Sequence, residues 1–125
     1  MFGLRVVVAV VFGAAAASAG AQQMPVSTFL SKADALESKG PMALFSGDLK
    51  LLKNEVSRSA AELRAERTAA LKSGKAATYC PPEKSKLGSD ELVRSLRAIP
   101  AAERPGISTK EGLRRLMIVK YPCRG

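Results

Sequence analysis

Apolar residues return at intervals of three and four along four stretches of the chain, and nowhere do they alternate with period two for long enough to build a sheet. The first stretch carries Phe29, Leu30, Ala33 and Leu36, with Ser27 as the expected N-cap. Gly40-Pro41 stops it, because the glycine suits a left-handed position after the last turn and the proline cannot extend the hydrogen-bond ladder. The second and longest stretch runs from a cap at Asp48 to Ser73-Gly74. Its positions Leu49, Leu52, Val56, Ala60, Leu63 and Ala70 make a narrow stripe that must face other helices. A third helix is expected from Ser89, with Asp90 and Glu91 in the first turn, where the helix dipole favours acids. Leu92, Val93, Leu96 and Ile99 form its buried face and Pro100 ends it. The fourth starts at Ser108-Thr109-Lys110-Glu111, which spells a capping box. It carries Leu113, Leu116 and Met117 and breaks at Tyr121-Pro122.

These signals predict an all-α fold, a small four-helix domain with helices near 27–39, 48–73, 89–99 and 109–120. Met42, Leu44 and Phe45 form a dense apolar knot between the first two helices. They are expected as a packed connector plugging the end of the bundle, with Phe45 in the core beside Leu36, Leu52, Val56, Leu63, Leu96, Ile99, Leu113 and Leu116. Lys75 to Lys86 has no helical pattern, and Cys80-Pro81-Pro82 stiffens it in an extended form.

Ahead of the first helix, Arg5 is followed by an apolar run from Val6 to Ala17 and a small-residue exit at Ala19-Gly20-Ala21. This is the layout of a secretory signal peptide over 1–21, cleaved after Ala21, with Ala19 the second choice. The run is shorter than the ~20 apolar residues of a membrane span, and no later segment approaches that length. The mature chain, 22–125, is one domain of roughly 100 residues in an oxidising compartment. Cys80 and Cys123 are the only cysteines, so they are expected to form a disulfide.

The formal net charge is +9, of which Arg5 carries one. A surface so basic favours acidic partners. Export argues against nucleic acid as the ligand, and the few aromatics leave no stacking platform for single strands. The chain contains no histidine, which removes the usual general base, and pairing both cysteines removes thiol nucleophiles and ordinary zinc ligand sets. No glycine-rich phosphate loop is present. Glu55, Glu62 and Glu66 share one flank of the second helix, while Lys50, Lys53 and Arg64 share another. Carboxylates four residues apart, such as Glu62 and Glu66, are formally able to do acid/base work but are common on solvated faces. The expectation is a protein without catalytic activity, cofactor or metal.

Four segments carry a family resemblance: Gly40-Pro41-Met42-Ala43-Leu44-Phe45-Ser46, Cys80-Pro81-Pro82, the helix from Leu92 to Ile99-Pro100, and Lys120-Tyr121-Pro122-Cys123. As an ordered set, spread from Val26 to Cys123, they resemble the Rap/Tai family of immunity proteins. The resemblance implies a small helical protein of the periplasm that blocks a type VI secretion effector, an exported peptidoglycan amidase. A homodimer is compatible with it. Arg94, Arg97, Arg114 and Arg115, on the polar sides of the last two helices, are the expected charged part of the interface. Two other readings fit the same residues: a periplasmic acid-stress chaperone resembling HdeA, and an exported helical domain with some other partner.

Overall fold

The structure, a computed structural model, describes residues 23–124; the expected leader and both cleavage positions lie outside them. Four α-helices carry the described chain: α1 (Val26–Lys39), α2 (Gly47–Lys72), α3 (Ser89–Arg97) and α4 (Thr109–Lys120). A 3-10 turn at Gly40–Phe45 joins α1 to α2, and a shorter one at Arg104–Gly106 precedes α4. Among the described residues no helix is long and apolar enough to cross a membrane. The all-α, four-helix expectation holds, with boundaries within two residues of those read from the sequence.

The caps differ from expectation in informative ways. Ser46, not Asp48, caps α2, its hydroxyl accepting from the Asp48 backbone N–H at 3.2 Å. Asp48 instead sits in the first turn and pairs with Lys32. Neither Ser27 nor Ser89 is a cap: α1 follows Pro25 and α3 follows Gly88, both without a side-chain cap bond. At α1 the tertiary structure replaces the cap, because the Val26 N–H donates to the Ile107 carbonyl at 2.8 Å. In the same clasp Thr109, fully buried, donates to the Met24 carbonyl from both its N–H and its hydroxyl, at 2.8 and 2.9 Å. One antiparallel bridge, Pro25 with Ser108, thus ties the start of α1 to the start of α4. The capping box at α4 is half realised. Ser108 Oγ accepts from the Glu111 N–H at 3.0 Å, but the Glu111 carboxylate turns to Arg114 and Arg115.

The core gathers Val26, Phe29, Leu30 and Leu36 of α1, Leu52 and Leu63 of α2, Leu92 and Leu96 of α3, and Leu113 and Leu116 of α4, with Ile99 beyond α3. Every expected core residue is buried or packed against this cluster except Phe45, which is 84% exposed. The connector reading is therefore corrected: Met42 and Leu44 are exposed as well, at 65% and 75%. The reason is the geometry of the turn. With three residues per turn, positions three apart eclipse, so Met42 and Phe45 share one side while Ala43 alone of the segment packs against the core, and the larger apolar residues are thrown outward. Gly40 enters this turn at φ 57°, a left-handed value that suits glycine.

The irregular stretch after α2 is held from both sides. Tyr79, 6% exposed, inserts against α2, where its hydroxyl donates to the Leu63 carbonyl at 3.4 Å and its own carbonyl accepts from Arg67 Nε at 3.1 Å. Its neighbour Cys80 forms the expected disulfide with Cys123, Cα atoms 4.9 Å apart, and donates its N–H to the Tyr121 carbonyl at 2.7 Å.

Candidate functional site

In this bundle α1 and α4 each lie against both α2 and α3, but among the described residues the backbones of α2 and α3 do not approach one another. The space between them is an open cleft of about 860 Å³. Its floor is α1, through Phe29, Ala33 and Leu36; one wall is α2 and the other α3, and Leu87-Gly88 lies at its edge.

The apolar lining follows from a small rotation of α2. The sequence stripe places Leu49, Leu52, Val56, Ala60 and Leu63 together, yet the fully buried line is Leu52, Glu55, Ser59 and Leu63. Glu55 is tolerated there, at 8% exposure, because its carboxylate accepts from the Met24 N–H at 3.3 Å and from Arg58 Nη2 at 2.6 Å. Leu49 and Val56 are left half-buried, and both line the cleft. Val93 does the same on α3. Side chains that a closed bundle would bury thus line an open wall.

Charges ring the cleft unevenly. Arg97 donates to Asp34 at 2.6 Å and to Glu37 at 3.3 Å, which consumes Glu37. Asp90 lies in the first turn of α3, where the helix dipole accounts for it. Lys53 on α2 and Arg94 on α3 also line the opening, and among the described residues neither has an ion-pair partner. The carboxylate nearest Arg94 in sequence, Glu91, is taken by Lys120 at 2.7 Å.

Of the four arginines expected at an interface, the structure brings Arg94 and Arg97 to this rim and leaves the other two elsewhere. Arg114 joins Glu66 at 2.7 Å and also pairs with Glu111. Arg115 reaches Glu111 at 3.5 Å. They belong to a network between α2 and α4 in which Lys110 bridges Glu62 and Glu66, and Arg58 joins Glu55 to Glu62. The acidic flank of α2 is therefore a seam facing α4 rather than a free solvated face. Its carboxylates are structural groups: the bond from Lys110 holds both Glu62 and Glu66 below the usual carboxylate range. Lys110 itself is raised, chiefly by Glu66.

These shifts fix a pH dependence. A carboxyl whose folded pKa lies below its unfolded value of ~4.3 contributes full stability above that value, and the contribution is lost as pH falls through the folded pKa. Lys110 behaves oppositely: its share is complete below ~10.4 and fades as pH rises through its raised value. Thermal melts from about pH 7 down to about pH 3 should hold level and then fall below pH ~4. Glu66→Gln should lower Tm by a few degrees near neutrality and blunt the acid fall, a modest effect because Glu66 is half exposed and screened. Parallel acid limbs in variant and parent would show that this seam does not carry the acid sensitivity.

Sequence reasoning did not single out Tyr79, Ser59 or Gly112, and it named Glu55 and Thr109 only as a flank carboxylate and a capping-box residue, not as the buried groups they are. Tyr79, the aromatic before the cysteine in the irregular stretch, was the one legible signal, as an anchor for a segment without ladder bonds. Gly112 sits inside α4 because a Cβ there would meet Leu96 Cδ2 at 2.4 Å. No family model matches the chain, and neither a curated protein nor a solved structure matches it.

Proposed function

We propose that the protein is an exported inhibitory binding protein, an immunity protein of the Rap/Tai kind directed at a type VI secretion peptidoglycan amidase. The observation that carries this reading is the exposed apolar corner at Met42, Leu44 and Phe45. It lies in Gly40–Ser46, one of the segments on which the resemblance rests. Monomers seldom leave such residues clustered in water without a partner for them. The corner is built on a tight 3-10 turn packed on both α1 and α2, so little ordering remains to oppose association. The Cys80–Cys123 disulfide suits a periplasmic protein. A protein with no histidine and both cysteines oxidised acts on its target by occupancy, one inhibitor per effector.

Titration into a type VI amidase cleaving cell-wall peptide should give a linear loss of activity that ends near equivalence. Undiminished cleavage at several-fold excess would sink the reading for the amidase tested. Phe45→Ala separates surface from core: stability should change by less than about 0.5 kcal/mol, as at other exposed positions. If the ring is an interface anchor, the complex should weaken by about 2 kcal/mol, roughly 30-fold in Kd. Inhibition with an unchanged Kd would remove the corner from the interface.

A further inference from the structure

We propose that the cleft between α2 and α3 is a docking groove for an amphipathic helix with acidic flanks, contributed by a partner protein. The inference rests on reading this chain as a binding protein and is independent of which effector it binds.

Three matches point to a helix as the occupant. The first is length: the lining spans Phe29 to Glu37 on α1, Leu49 to Ser57 on α2 and Ser89 to Arg97 on α3. Eight helical rises, about 12 Å, separate the ends of each wall. That is the reach of side chains at i, i+3 and i+7, about 10 Å, which is how an amphipathic helix anchors in a groove. The second is volume. A two-turn helix about 10 Å across and 12 Å long fills roughly 900 Å³, against about 860 Å³ in the cleft. The third is topology: α2 and α3 both pack on α1 but not on each other, so a helix laid between them completes the layer against half-buried Leu49, Val56 and Val93.

Charge sets the sign of the flanks. On the rim Glu37 is paired with Arg97, whereas Asp90 has no ion-pair partner among the described residues, so the unpaired rim groups are two cations and one carboxylate, a net positive balance. Lys53 and Arg94, one on each wall, have no ion-pair partner among the described residues. A docked helix with Glu or Asp beside its apolar stripe meets a cation on either side. A helix with basic flanks meets repulsion on both.

The test uses the disulfide-bonded protein and capped synthetic helices of about three turns with leucines at i, i+3, i+7. One peptide carries glutamate flanks, one lysine flanks and one a scrambled order, and dodecanoate serves as a small amphiphile. Amide NMR shifts should saturate with the glutamate peptide and centre on α1, α2 and α3 residues of the cleft. Its Kd should be about tenfold below that of the lysine peptide at low salt, the gap narrowing as salt rises. In the variant carrying Lys53→Glu and Arg94→Glu, which breaks no ion pair among the described residues, the preference should invert. Val93→Glu should abolish binding of the glutamate peptide with the melt unchanged within a few degrees.

Several results would overturn the assignment: no saturable shifts, shifts centred elsewhere, equal affinity for both flank charges, or a response to dodecanoate alone. Cleft shifts that appear on concentrating the free protein would give the groove to a second copy instead. None of these involves an amidase, so failure here leaves the inhibition titration standing, and failure of that titration leaves the peptide result standing.

Discussion

Replacing Cys80 and Cys123 together by alanine is expected to remove about 4 kcal/mol of stability, the value for opening a loop of this length in the unfolded chain. The bond spans 43 residues, more than a third of the described residues. A small domain has only ~5–15 kcal/mol in total, so the variant should approach half-unfolding at modest urea. With a slope of about 1–2 kcal/mol per molar urea, the midpoint should fall by roughly 2–4 M. The folded variant should nevertheless keep its architecture. Tyr79 stays inserted against α2, bonded to the Leu63 carbonyl and Arg67, and the Cys80 N–H still reaches the Tyr121 carbonyl. Amide shifts of variant and parent should therefore coincide except near positions 80 and 123. A loss below about 1 kcal/mol would mean that loop closure contributes little, and that Tyr79 alone restrains the segment.

The second large effect lies at the crossing of α3 and α4. Leu96 is fully buried and rests on Gly112, where any Cβ would stand 2.4 Å from its Cδ2, with Val26 Cγ2 at 3.4 Å and Ile99 Cδ1 at 3.7 Å. Leu96→Ala should cost about 3–4 kcal/mol, within the 2–5 kcal/mol typical of buried leucines. Gly112→Ala alone gains up to ~1 kcal/mol of helix propensity but overpacks the crossing by about 1–3 kcal/mol, a net loss near 1 kcal/mol. In the Leu96→Ala background the clash is gone and the new methyl enters the vacated space. Gly112→Ala should then stabilise by about 0.5–1 kcal/mol. The signature is this change of sign in a double-mutant cycle, a coupling above ~1 kcal/mol. Additive effects would show that Leu96 swings aside at no cost and that Gly112 is not required for the close approach.

By itself the sequence determined the helices, their order and the disulfide. Those depend on local chemistry: three-four spacing, breakers at Gly40-Pro41, Gly74 and Pro100, the serine before Thr109, and a single available pair of cysteines. Buried leucines such as Leu52, Leu63, Leu96 and Leu113 were legible for the same reason, since each lies on the apolar side of a periodic stretch. Periodicity gives a helix's apolar side but not how much of it a neighbour covers, and the corrections to burial arise from that gap. Phe45 is as apolar as a core residue, yet the 3-10 segment Gly40–Phe45 turns only Ala43 toward the core. Glu55 reads as solvent-facing, yet it is buried, its carboxylate met by the Met24 N–H from outside the local pattern and by Arg58 one turn further along α2. Leu49, Val56 and Val93 read as core and line an open cleft, because the packing that brings α2 and α3 onto α1 and α4 keeps them apart from each other. The arginines divide on the same ground. Arg97 and Arg114 find carboxylates on other helices, Arg115 only Glu111 on its own helix, and Arg94 none among the described residues; the first two pairings are set by long-range geometry that no spacing along the chain encodes.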